Sequence, residues 1–133
     1  MNMGNEFWHE EIINFDLTII AAQIQDFDVF YDSFTDSINK AKQKPFRPGW
    51  DLRYDLKEWF EYKFFSMKDP SLKDKPDMRF VYYYDRDYKN IYILAVGWRN
   101  AKETRSSDEQ QSIFYIASER LKNYNPGCWR KIR

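Results

Sequence analysis

The chain has one cysteine, one histidine, four glycines and five prolines in 133 residues. A lone Cys128 cannot form an internal disulfide, and a reducing, cytoplasmic location is the simplest expectation. One His9 beside one cysteine excludes a conventional His/Cys metal centre and a Cys–His nucleophilic pair. Glycine-rich phosphate cradles, a Gly-x-Ser-x-Gly elbow and an EF-hand loop are all missing. Scarce Gly and Pro also argue against a low-complexity or disordered chain. No apolar run reaches the length of a membrane span, and no basic segment leads into an apolar core as in a signal peptide. Membrane partners are therefore not expected.

Basic residues are missing from the first 39 positions, which carry eight acids. All 21 Lys and Arg follow, against 13 acids, and the net charge is zero. Such asymmetry fits a basic, polyanion-binding body with an acidic flank, or acidic and basic surfaces that neutralise each other on folding. What is plentiful is aromatic: one residue in five is Phe, Tyr or Trp. Each buries a large area, so a single domain over 1–133 can build its core from rings. Residues 1–25 read as an acidic N-terminal extension, with 1–10 as a loose start.

Residues 12–25 are apolar without a decisive period. Val29, Phe30, Phe34, Ile38 and Ala41 recur at helical spacing behind a cap at Asp26 or Asp28, and the helix ends in a Lys-rich turn before Pro45. Trp59–Met67 alternates as a strand, with Glu61, Lys63 and Phe65 on one face. Residues 68–77 form a polar, exposed connection. Met78–Asn100 is a hairpin: Phe80, Tyr82 and Tyr84 share one face of its first strand, Arg79, Val81 and Tyr83 the other. Ile91–Val96 is apolar enough for a central strand, and Gly97 permits a bend or close approach. After a polar linker with capping-box spacing at Ser107/Gln110 or Ser106/Glu109, Ile113, Ile116, Ala117 and Leu121 mark a last helix. The expected class is α+β: N-terminal helices, an antiparallel sheet of three to four strands, and a C-terminal helix.

Lys63, Arg79 and Arg99 can share one surface if the strands are neighbours. Guanidinium forks match phosphate oxygens, and Tyr62, Tyr83 and Trp98 could stack on bases. Against this stands ordinary pairing of strand cations with Glu61, Asp77 or Asp85. A second basic patch comprises Arg120, Lys122, Arg130, Lys131 and Arg133, with a solvated helix end and frayed tail as its plain reading.

Three stretches together, EYKFF (61–65), MRFVYYYD with IYILAVGWR (78–99), and IFYIASERL (113–121), resemble the RelE/ParE toxin superfamily. The resemblance covers roughly residues 26–122. It implies a RelE-like fold in a type II toxin–antitoxin pair, with RNA or the ribosome and an antitoxin protein as partners and no cofactor or metal. In the mRNA-cleaving branch the ribose 2′-hydroxyl attacks the adjacent phosphate, assisted by basic residues on the sheet. Carried over, Arg79 and Arg99 would clamp the phosphate, Lys63 would assist proton transfer, and Tyr115 would act as base or stacking partner. Tyr83, Trp98, Arg120 and Lys122 would contact nucleic acid. Phe65 stands where the family has a second lysine, and Phe114 where it has a tyrosine. These departures weaken the proton-transfer half of the site. The alternative is a RelE-fold, ParE-like or partner-binding module without nuclease activity. A third reading is a nucleic-acid-binding domain whose acidic N-terminus shields the basic sheet.

Overall fold

A computed structural model describes residues 4–99 and 113–133. The elements are β1 (Glu6–His9), a π-helical turn (Ile12–Asp16) running into α1 (Leu17–Gln23), α2 (Phe27–Gln43), β2 (Phe60–Phe64), β3 (Met78–Asp85), β4 (Asn90–Trp98), α3 (Ile113–Lys122) and β5 (Trp129–Lys131). The class is α+β, as the residue pattern implied. The capping-box positions lie outside the described residues. No helix among the described residues is long and apolar enough to cross a membrane.

α2 follows its pattern closely. Asp26 caps it by accepting from the Val29 N–H at 3.2 Å, and Lys40 and Lys42 sit in its last turn. Phe30, Phe34, Ile38 and Ala41 are fully buried. They meet Phe64, Phe80 and Tyr82 from the sheet in one cluster of rings. The opposite face of the sheet carries a smaller cluster in which Val81, Leu94 and Ala95 pack under Ile113 and Ala117 of α3.

The sheet differs from expectation. It has five strands in the order β2-β3-β4-β1-β5. The β2–β3–β4 meander is antiparallel, but β1 lies parallel to β4, so the sheet is mixed. The loose start expected for residues 1–10 is, over Glu6–His9, a strand held between β4 and β5. Trp8, Ile12 and Ile20 belong to the α2-side core. Four residues are too few to show a strand period, and their partners are more than 80 positions away.

The segment from Glu6 to Asp16 accounts for part of the charge asymmetry. Glu6 is fully buried; its carboxylate meets Lys42 at 2.9 Å and Arg133 at 3.1 Å and accepts from the Trp8 indole at 2.8 Å. Glu10 pairs with Arg130 at 2.7 Å. Asp16 pairs with Arg120 at 2.6 Å. N-terminal acids thus neutralise much of the C-terminal basic patch, so for these residues the polyanion-binding reading of that patch gives way to mutual pairing. A shield that could be removed to uncover a basic sheet is likewise not what residues 6–20 form.

Asp16 and Arg120 do more than pair. The register steps from Val81↔Ala95 to Tyr82↔Ile93, which leaves Leu94 as the extra residue of a bulge. β1 is in register with β4 only as far as Trp8↔Ile93. Just beyond, Arg120 donates to the Leu94 carbonyl at 2.9 Å, and Asp16 accepts from the Val96 N–H at 3.0 Å. Two side chains satisfy backbone groups where the strand has ended.

Candidate functional site

The register places Lys63 opposite Arg79, and Arg79 opposite Gly97. Arg99 follows one residue after β4, its N–H donating to the Asp77 carbonyl at 2.8 Å. Cations from three consecutive strand segments therefore gather at one corner of the sheet.

Arg79 is not a solvent-facing cation. It is 7% exposed. Its Nε donates to Glu61 at 2.9 Å, and Nη1 donates to the carbonyls of Pro76 at 3.1 Å and Met78 at 2.9 Å. Glu61 is its diagonal neighbour across the β2–β3 pair, well within reach of a long side chain. Burial lowers the pKa of Arg79 and the charge of Arg99 lowers it further, while Glu61 and Asp77 oppose both. The pairing weighed against phosphate binding is thus present for Arg79. Asp77 is engaged elsewhere, accepting from Ser66 N–H at 2.9 Å and Ser66 Oγ at 2.6 Å. The Lys63 ammonium lies 5.2 Å from the centre of the Trp50 ring, a cation–π distance. Gly97 is not forced by crowding: a Cβ there would sit 3.5 Å from Ile113 Cδ1, an ordinary contact.

The nucleic-acid candidates divide among different places. Tyr83 belongs to a panel on the α3 side of the sheet. Trp59 lies 5.6 Å from it and Tyr92 6.4 Å; Trp129 closes the ring at 5.2 Å from Tyr92 and 6.4 Å from Trp59. Trp98 faces the other way and packs against the α2-side core. Its Nε1 is buried and has no hydrogen-bond partner among the described residues. Arg120 is spent on Asp16 and Leu94. Lys122 remains exposed, with its ammonium 3.3 Å from Glu119, the main cause of its raised pKa.

Tyr115 is not part of the cationic corner's hydrogen-bonded set. It lines a groove of about 420 Å³ between α3 and the N-terminal turn, together with His9, Phe15, Ile116 and Arg120. His9, assigned to a flexible start, is 7% exposed. Its Nδ1 accepts from the Glu11 N–H at 3.1 Å. Burial lowers its pKa, with the Arg120 charge as a further cause. Nothing local in the sequence reveals that His9 and Phe15 meet α3. Among the described residues no cluster of His, Cys, Asp and Glu could hold a metal.

No protein-family model, no curated protein and no solved structure matches the chain.

Proposed function

We propose that this chain is a RelE-like, cytoplasmic RNA-binding protein of a toxin–antitoxin pair, contacting ribosome-associated mRNA through backbone phosphate. The observation that carries the reading is the row Lys63–Arg79–Gly97 with Arg99 beside it. The antiparallel meander and the last helix laid across it are further support. In this reading Lys63 and Arg99 make the first phosphate contact. Arg79 joins by exchanging Glu61 for a phosphate oxygen, a swap between two anionic acceptors of similar geometry.

Filter binding of single-stranded RNA across a salt series tests this. Lys63→Ala and Arg99→Ala should each weaken binding several-fold and flatten the salt slope by about one. RNA affinity that is absent at low salt, or unchanged in both variants, overturns the reading. Incubation with ribosome-bound mRNA separates binding from cleavage.

The partner-binding module without nuclease activity is the second reading. It is favoured by one observation: Arg79 is buried and already held by Glu61 and two carbonyls. A stable complex with another protein, formed by a chain that neither binds RNA nor slows growth and has no adjacent antitoxin-like reading frame, would select it.

A further inference from the structure

The groove beside α3 belongs to neither reading. α3 turns Ile113 and Ala117 toward the sheet. Its next face, Tyr115, Ile116, Glu119 and Arg120, lines the groove together with Asn123 just past the helix end. That stripe spans eight residue steps, about 12 Å at 1.5 Å each. The opposite wall is His9, Glu10, Glu11 and Phe15. Phe15 and Tyr115 remain 36% and 51% exposed, leaving two uncovered rings.

Carboxylates outnumber cations on the groove wall. Arg120 is the cation on its wall, and Asp16 neutralises it with two hydrogen bonds of 2.8 and 2.6 Å. Three carboxylates remain. Glu11 enters no ion pair among the described residues; Glu10 and Glu119 hold Arg130 and Lys122 only in half-exposed or exposed pairs. Such pairs contribute little and exchange readily.

From this geometry we infer that the groove is a docking site for a basic peptide segment, whose Arg or Lys heads meet Glu11 and Glu119 while their stems lie on Phe15 and Tyr115. Long cationic side chains bury their methylenes on apolar surface and keep the charge at a polar rim. The length favours a segment over a single amine: about 12 Å accepts three to four extended residues at roughly 3.3 Å each.

The test is calorimetric titration of the full chain at low salt with an end-blocked pentapeptide of alternating Arg and Leu. Glu11→Gln should weaken binding about three- to fivefold, and Glu11→Gln with Glu119→Gln about tenfold or more. Tyr115→Ala should also weaken it, since an exposed ring can be removed without disturbing the fold, as a melting curve would verify. Asp32→Asn, on the exposed face of α2, should leave affinity unchanged. The inference is overturned if the peptide binds no tighter than its Glu–Leu counterpart. It is equally overturned if Glu11→Gln has no effect, if Asp32→Asn weakens binding as much, or if free argininamide binds as tightly as the peptide. RNA binding through the sheet corner is measured separately, so either result stands alone.

Discussion

Removing the Arg120 guanidinium should be among the most damaging single changes in this protein. Arg120→Ala deletes two hydrogen bonds to Asp16 and one to the Leu94 carbonyl. It leaves Asp16, 4% exposed, with the Val96 N–H as its remaining described donor. Breaking a buried pair from one side costs about 3–5 kcal/mol, a large share of the roughly 5–15 kcal/mol that a domain has. Urea unfolding measures it. The double variant Asp16→Leu with Arg120→Met separates two ideas. If the residues were merely a buried ion pair, apolar replacement would restore stability. Here it should restore only part, because the Leu94 carbonyl and Val96 N–H lose their partners, at about 1–3 kcal/mol each. The pH dependence follows from sign. Burial already holds the Asp16 pKa above its ordinary 3.8, and Arg120 opposes that rise. Without Arg120 it climbs further. A native carboxyl with a raised pKa binds its proton before the unfolded chain does, so stability rises as pH falls from the native pKa toward 3.8. The Arg120→Ala penalty should therefore shrink in mild acid. A penalty under about 1 kcal/mol, or one flat across that window, would refute this role of the Asp16–Arg120 pair.

Three further outcomes are expected. Glu61→Gln frees Arg79 from its carboxylate and should raise RNA affinity several-fold while steepening the salt slope by about one; unchanged affinity removes Arg79 from the phosphate contact. Deleting residues 1–10 takes a strand from inside the sheet, so near-UV circular dichroism should show loss of fixed tertiary packing rather than an unmasked basic surface. Phe34→Ala, at the centre of the ring cluster, should cost about 3–5 kcal/mol in urea, and a value near zero would mean that the core can repack around the loss.

The sequence disclosed what repeats locally and hid what closes over distance. α2 announced itself through Phe30, Phe34, Ile38 and Ala41 at helical spacing, and β3 through its alternation, which also put Arg79 and Tyr83 on one face. Glu61 was readable as a neighbour of Arg79 once register was assumed, because it shares a face with Lys63. β1 was not readable: Glu-Phe-Trp-His carries no repeat, and acids are poor strand formers taken alone. Nor was Asp16–Arg120, separated by 104 positions. Trp98 was mistaken for a surface ring because alternation alone does not say which helix covers each face.

The position of β1 orders the assembly of the molecule in time. Its paired neighbours begin at Ile91 on one side and Trp129 on the other. A chain elongating from its N-terminus makes β1 before either strand it pairs with. Until β4 exists, Trp8 and Ile12 have no sheet to complete, and Glu6 lacks Arg133. β1 can therefore pair only once β4 has been made, which makes its insertion a long-range closure. Such closures place the folding barrier on chain entropy rather than on local structure. In the interval β4 keeps an open edge, with hydrogen-bonding groups that another extended strand could occupy. The segment that looked most dispensable is the one whose arrival ends the period of greatest vulnerability to mispairing.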